Sequence, residues 1–467
     1  MRENRIHNLH YEKFQDGSMK CIEDEIPFDV PEGWAWCKLN DIYNFIDYRG
    51  ATPTKITNGI PLVTAKNVKS GYIDYTIDDY ISEEEFKERQ QRGISKKGDI
   101  LFTTEAPLGN AALADMEKFS AGQRLITFQQ YGSKDELINY VMLMFILSDF
   151  FQQQLYVNKT GSTVAGIKAA ILKTLWIPVP PYNEQLRIST TLKSAINLID
   201  SISKNKEILS TSISNTKSKI LDLAIRGKLV PQDPNDEPAS VLLERISAEK
   251  EELIKQGKIK RDKKESVIFK GDDNSYYLRT GRVEESLEDW RFDDLPETWK
   301  ICCLGELCDY GDCINVNTED IAEDAWILDL EDIEKDTGTV LKKVTKDQRN
   351  SVSTKHKFHS GQVLYSKLRP YLNKVVLSDA DGYCTSEILP LEFKNCVLPE
   401  YARYYLMSGT FIAYANHCSY GVKMPRLGTT DGKKAIFSLP PLSEQKRIVE
   451  TIDFCFVQLN KMSEALA

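Results

Sequence analysis

The sequence predicts an α+β protein: two similar mixed α/β domains separated by long antiparallel coiled-coil helices and related by a pseudo-two-fold internal repeat. Three observations predict it. The nine residues PPYNEQLRI (180–188) return as PPLSEQKRI (440–448). Further matches lie upstream: YEKFQDGSMKCIEDEIPFDVPEGW (11–34) aligns without a gap on YYLRTGRVEESLEDWRFDDLPETW (276–299) at an offset of 265, and KKGDILFTT (96–104) on HSGQVLYSK (359–367) at 263. The third observation is a heptad-spaced apolar seam after each Pro-Pro. Surface loops tolerate the few residues lost between copies, so each copy reads as one domain with its own core.

Taken in order, the chain divides into a linker segment (1–30), a first domain (31–179), a first spacer helix (180–230), a helix with a charged linker (231–290), a second domain (291–439) and a short second spacer helix (440–467). Each domain opens with short apolar runs broken by Gly, Pro and Asn, such as GIPLVTAKNVKSGYIDYTI (59–77), which favours strands and tight turns. One helical stretch sits late in each, ELINYVMLMFILSDFFQQQL (136–155) and LPEYARYYLMSGTFIAYANH (398–417).

The spacers follow from spacing. From Ile188, alternating steps of four and three meet Leu192, Ala195, Ile199, Ile202, Lys206, Leu209, Ile213, Thr216, Ile220 and Leu223, nine of the eleven seam positions being apolar. From Ile448 the same count gives Ile452, Cys455, Leu459, Met462 and Leu466, all apolar. A mean spacing of about 3.5 residues is what supercoiling helices require. Pro-Pro ends the preceding segment, Asn183 and Ser443 are expected to cap, and Glu184 and Glu444 to meet the positive end of the dipole. A cationic last turn with Arg226, then Gly227 and Pro231, stops the first helix, whose stretch from Leu192 to Leu223 spans roughly 50 Å. A helix from Ala239 to about Gln256 precedes GKIKRDKKESVIFKGDDNS (257–275), a linker with no expected core.

Composition narrows the function classes. The chain has 467 residues, 41% hydrophobic and 28% charged, with no long apolar run and no signal-peptide pattern in MRENRIHNLHYEKFQDG, so the cytoplasm and no membrane are expected. Ten unevenly scattered cysteines fit reduced thiols better than a disulfide framework. The net charge of −9 argues against a nucleic-acid partner, yet three windows lack acids: 348–378 with Arg349, Lys355, Lys357, Lys367, Arg369, Lys374, His356 and His359; 151–183 with Lys159, Lys168 and Lys173; and 401–430 with Arg403, Lys423 and Arg426. Each is a candidate phosphate-facing stripe or an ordinary solvated face.

Two like domains on a rigid spacer measure a distance. B-DNA repeats about every 34–36 Å, so such a spacer suits domains that read the two halves of a split site. The loops differ where the frame agrees: DYRGATPTKITNG (47–59) faces DYGDCINVNTEDI (309–321), and NKTGSTVAGIK (158–168) faces NHCSYGVKMPR (416–426). Different loops on one frame predict an asymmetric site.

The repeated Trp-containing start, the Gly-Asp-Ile-Leu (98–101) and Gly-Gln-Val-Leu (361–364) turns, GSTVAGIK (161–168), the paired Pro-Pro motifs and AIRGKLVPQDPNDEPASVLLERI (224–246) together resemble the specificity subunit of type I restriction-modification enzymes. The resemblance covers nearly the whole chain. It implies two target-recognition domains, each reading one half of bipartite double-stranded DNA, with the helices docking methyltransferase subunits and, through them, restriction subunits. It also implies a subunit without catalysis, S-adenosylmethionine and ATP being held by the partners. One departure is that the second spacer ends at Ala467, equivalent to Glu207, leaving the Pro-Gln-Asp-Pro segment without a counterpart; a shortened or rearranged end is expected. A duplicated, non-catalytic protein-interaction scaffold is the competing reading.

Base reading rests on Arg or Lys to guanine and Asn or Gln to adenine. The candidates are Arg49, Lys66, Asn67, Lys159 and Ser162 in the first domain, and Lys367, Arg369, Lys374, Lys423 and Arg426 in the second. Tyr420 can stack on a base or pack. For each charge the bland alternative is simple exposure. The seam residues expected to dock subunits are Ile188, Leu192, Ile199, Ile202, Leu209, Ile213, Ile220, Ile448, Ile452, Leu459 and Met462. No metal is expected: Cys303, Cys308 and Cys313 recur every five residues rather than in C-x2-C pairs. For His356 and His359, phosphate contact or exposure is preferred to metal binding. No phosphate loop, dinucleotide fingerprint or amino-methyltransferase motif is present.

Overall fold

The computed structural model describes residues 9, 11–14, 16–48, 52–132, 137–161, 165–258, 266–273, 275–287, 295–349 and 352–466. It separates into two units, Met1–Ile202 and Ser203–Ala467.

In the first unit the chain is framed by the strand pair Ala35–Lys38 and Trp176–Val179. Inside the frame lies an antiparallel sheet ordered Tyr43–Asp47, Leu125–Gln130, Ile100–Thr104, Leu108–Leu113. All five residues of Ile100–Thr104 are buried, because the strand is covered on both faces. One core gathers Tyr43, Phe102, Phe128, Met142 and Phe151; a second, around Val68, Leu101 and Phe119, lies on the other face.

The second unit repeats the frame. Lys300–Cys303 pairs with Ile436–Leu439, and Val363–Ser366 lies between Val375–Leu377 and Ile388–Leu391. The register is also repeated: Cys303 faces Ile436 as Lys38 faces Trp176. A five-stranded sheet is added, ordered Ile314–Val316, Lys355–Phe358, Gly382–Thr385, Trp326–Leu328, Val344–Thr345. The turn into the central strand needs glycine in both copies, Gly98 at φ +91° and Gly361 at φ +89°, and the next side chain closes it. Asp99 accepts the N–H of Lys96 at 2.7 Å, and Gln362 that of His359 at 3.0 Å.

The late helical stretches each divide in two, where the sequence suggested one helix. Asn139–Ile146 is followed by Asp149–Val157, and Pro399–Leu406 by Gly409–His417. The cause is Ser148 and Ser408. Each hydroxyl caps the next helix, accepting the N–H of Phe151 and Phe411 respectively, so the chain turns rather than continuing.

Tyr182–Ile225 is one helix of 44 residues, and Leu442–Ala465 the second long helix. Neither expected cap acts: Asn183 and Ser443 lie inside their helices, and Pro441 precedes the second with no side-chain cap. A glutamine in the first turn instead ties each helix entry to the proline before it. Gln185 Nε2 donates to the Pro180 carbonyl at 2.9 Å, and Gln445 Nε2 to Pro440 at 3.0 Å. Within the second unit the end of the first long helix runs antiparallel to the second, Ile225 O accepting from Ser438 Oγ at 2.7 Å and Lys217 Nζ donating to Asn460 Oδ1 at 2.6 Å.

The seam is covered only in part. Ile213, Ile448 and Ile452 are buried; Ile188, Leu192, Ile220 and Leu459 are half-buried; Ile199, Ile202, Leu209 and Met462 are exposed. The linker also differs from expectation. Its end, Ser266–Lys270, is a strand in a sheet with Tyr276–Thr280 and Val283–Ser286, because Ile268 and Leu278 pack with Ile301, Cys303 and Ile436. All ten cysteines are free thiols.

Candidate nucleic-acid interface

In the second unit the central strand Val363–Ser366 runs out into Lys367, Leu368 and Arg369. The last of these adopts φ +50°, a left-handed conformation that turns the chain sharply. A second loop holds this turn. Leu427 N–H donates to Lys367 O at 3.0 Å, Arg369 N–H to Pro425 O at 2.7 Å, and Tyr420 and Arg426 exchange backbone bonds at 3.1 and 3.0 Å. Lys367 N–H donates to Glu387 O at 3.0 Å, which brings a third segment in. The Arg426 guanidinium then closes on the Glu387 carboxylate, Nε at 3.0 Å and Nη2 at 2.7 Å from Oε1. Beyond these anchors Gly421 turns at φ +99°, leaving Val422, Lys423 and Met424 exposed at the tip.

The first unit builds the same platform with other side chains. Ile167 N–H donates to Thr104 O at 3.0 Å, Thr104 N–H to Arg124 O at 2.9 Å, and Thr160 and Gly166 exchange backbone bonds at 2.7 and 3.0 Å. Ala106 takes the left-handed turn at φ +47°, and Gly161 turns at φ +91°. The ion pair is retained with its charges moved: Arg124 Nε lies 3.0 Å from Glu105 Oε1. Beside it opens a cleft of about 290 Å³ lined by Thr52, Lys55, Thr64, Lys66, Gln123 and Arg124 among others. Hydroxyls, an amide and cations around an open cleft can donate to phosphate and base edges.

Several sequence candidates lie on these platforms. Lys66 is on the cleft, Lys159 sits 3.5 Å over the Tyr156 ring, Lys367 and Arg369 are half-buried on the turn, and Lys423 is exposed at the tip. Tyr420 is 62% exposed while one edge of its ring rests against Gly428, so it packs on one side and offers the other. Arg49 and Ser162 lie outside the described residues.

Three candidates are corrected. Asn67 is only 3% exposed and spends its amide internally, donating to Asp74 O and Ile77 O at 3.0 and 2.9 Å and accepting from Thr64 N–H at 3.0 Å; it shapes the turn rather than reading a base. Lys374 Nζ donates to Leu330 O at 2.6 Å, and Arg426 is committed to Glu387. The basic window around them is not a basic surface. Arg349 pairs with Asp329 and with the fully buried Asp332, and Lys355 is buried. Sequence proximity of cations says nothing about acids folded in from elsewhere.

Of the two histidines His356 is corrected, whereas His359 is exposed, one of its two expected readings. His356 lies on the strand Lys355–Phe358, is buried, and its Nδ1 donates to Ile388 O at 2.8 Å. Burial lowers its pKa, as does the positive charge of Lys367, while the bond to Ile388 opposes the shift. His359 meets Glu392 at 2.7 Å. Arg124, Gln123 and Lys55 were missed from sequence. An offset of 263 places Arg124 opposite Glu387, and that exchange of charge between copies was the available signal.

Residues 31–210 and 296–463 each match the family described as "Type I restriction modification DNA specificity domain". Among curated relatives, the type I restriction enzyme EcoAI specificity subunit of Escherichia coli is 26% identical, over 94% of this chain and 80% of the relative. Two solved structures share the fold at 16% identity. One, from work on complex assembly and conformational transition of the type I R-M system, has a TM-score of 0.59 and covers 94% of both chains. The other, the HsdS subunit from Thermoanaerobacter tengcongensis, has a TM-score of 0.51 and covers 94% of this chain and 93% of that one.

Proposed function

The chain belongs to the type I restriction modification DNA specificity family, whose domain it carries twice, and on that premise we propose how its two copies divide the recognition of DNA. It is a DNA-specificity subunit of a type I restriction-modification complex, a recognition subunit without catalysis. Each platform reads one block of a bipartite, asymmetric site. The observation that carries this is the repeated loop lattice: equivalent backbone bonds hold both platforms, while the side chains they present differ. A shared lattice fixes where side chains meet the groove, and the side chains decide which bases are accepted.

The partners are double-stranded DNA, methyltransferase subunits and restriction subunits. Leu198, Ile199, Ile202, Ile208 and Leu209 form an exposed apolar run on the first long helix, and we assign it to methyltransferase docking. S-adenosylmethionine and ATP are assigned to the partner subunits, since neither nucleotide fingerprint nor phosphate loop occurs in this sequence. No helix among the described residues is long and apolar enough to cross a membrane, and we place the protein in the cytoplasm with its DNA.

The test is methylation mapping across a genome in a host carrying this chain with its methyltransferase subunit, against the same host with the methyltransferase alone. A new split motif, two specific blocks around a fixed unspecific gap, is the expected result. A formed complex that adds no motif would return the chain to the scaffold reading.

A further inference from the structure

The helix that leads into the second platform's loop begins without an acid of its own. Ser408 caps Gly409–His417, accepting the Phe411 N–H at 3.3 Å, and no acid stands in the first turn. In the first unit Ser148 caps Asp149–Val157 in the same way, and there Asp149 takes the first helical position. An offset of 260 places Gly409 where Asp149 stands. A carboxylate at that point meets the positive end of the helix dipole.

The second unit receives that carboxylate from another helix. Asp222, near the end of the first long helix, sets Oδ1 3.3 Å and Oδ2 3.8 Å from the point that a Cβ on Gly409 would occupy. Glycine at 409 leaves room for it. Oδ1 is shielded from solvent and has no hydrogen-bond partner among the described residues. A shielded acceptor without a donor is costly, and the dipole at the start of Gly409–His417 offsets that cost.

Helix Gly409–His417 in turn holds the platform on several sides. Phe411 packs edge-on to Tyr365 of the central strand, ring centroids 5.6 Å apart. Ser419 Oγ, at the start of the loop, donates to Ala415 O at 2.6 Å, and Tyr414 Oη donates to Asp431 O, beyond its end, at 2.7 Å. We propose that Asp222 is a positioning residue for one half of the recognised site: its charge, supplied from the first long helix, seats helix Gly409–His417 and through it the loop 418–427 with Tyr420 and Lys423. The link to recognition rests on the DNA reading above; the seating of the loop does not.

The test compares amide hydrogen exchange in the full chain, wild type against Asp222→Asn, Asp222→Ala, and Asp222→Ala combined with Gly409→Asp. Loss of the charge should speed exchange about fivefold in 409–417 and in the loop 418–427, while 149–157 is unchanged. Moving the acid to position 409, where the first unit keeps it, should restore slow exchange. A side chain that only filled space would be replaced by asparagine and not by an acid on the other helix. Methylation mapping with the methyltransferase subunit then reads the consequence: Asp222→Asn should relax one block and leave the other, and the combined variant should restore both. The proposal is overturned if asparagine leaves exchange at 409–427 unchanged, if exchange rises alike throughout the second unit, if Gly409→Asp fails to restore it, or if exchange rises while both blocks keep their discrimination. A wild-type chain that adds no split motif would remove the DNA reading instead, and exchange would still decide whether Asp222 seats the loop. Should Asp222→Ala fail to fold, Asp222→Ser with Gly409→Asp carries the same decision.

Discussion

The side-chain oxygen of Gln445 accepts the backbone N–H of Leu398 at 2.8 Å, tying the first turn of the second long helix to the residue that precedes helix Pro399–Leu406. Its amide nitrogen donates to Cys396 O at 2.8 Å and to Pro440 O. Gln185 repeats the arrangement, accepting from Ile138 N–H at 2.7 Å and donating to Pro180 O. This is why the motif recurs with Glu-Gln in both copies: a buried amide, both an acceptor and a donor, welds each domain to the helix that leaves it.

Gln445→Ala should therefore destabilise the protein by about 1–3 kcal/mol, because it strands the Leu398 N–H and two carbonyls in a buried site. Gln445→Glu should cost at least as much, since a carboxylate cannot donate to Cys396 or Pro440. Urea midpoints report both. A change below about 0.5 kcal/mol for the alanine variant would mean that the weld contributes little.

Arg426→Ala should blur only one half of the recognised site. The guanidinium pairs with Glu387 and fixes the loop that carries Lys423, so its loss frees the second platform's tip while the first retains Arg124 and Glu105. Methylation mapping should show one block relaxed and the other unchanged. Equal relaxation of both blocks would contradict the division between platforms.

Lys423→Ala should weaken DNA binding across sequences and reduce the slope of log K against log salt by about one, the signature of one phosphate no longer neutralised by the protein. Lys355→Met, by contrast, should leave that slope unchanged, because Lys355 is buried and its ammonium donates to Ser353 Oγ at 3.0 Å. Fluorescence anisotropy over a salt series, with the assembled complex, separates the two.

His356 should make the second unit sensitive to mild acid. Its pKa is lowered in the folded protein, so between the unfolded value near about 6.5 and the folded value the unfolded chain binds more protons. The stability contribution is complete above the unfolded pKa and is lost as pH falls through the folded one. His356→Gln should flatten the decline in stability as pH falls below the unfolded value of about 6.5, measured by urea unfolding. An unchanged slope would remove His356 as its source.

The repeat, the domain frame and the long helices were legible because each depends on local pattern. Pro-Pro bars helix, a heptad seam implies helix, and Gly98 and Gly361 occupy turns that other residues enter at a cost. Even so, Ser148 and Ser408 cut two apparent helices, since a side-chain cap competes with a continuing apolar run only once the following turn has somewhere to pack.

The interface was legible as a region and not as residues. The sequence alone determined that two like domains carry unlike loops, because repeats and their divergence are properties of order along the chain. Only the tertiary structure decided which cations are available. Arg349 is neutralised by Asp329 and Asp332, Arg426 by Glu387 and Arg124 by Glu105, and Asn67 is consumed by its own turn, while Lys66 lines the cleft. Charge acts through distance in space, and folding brings together acids and bases that the chain keeps far apart.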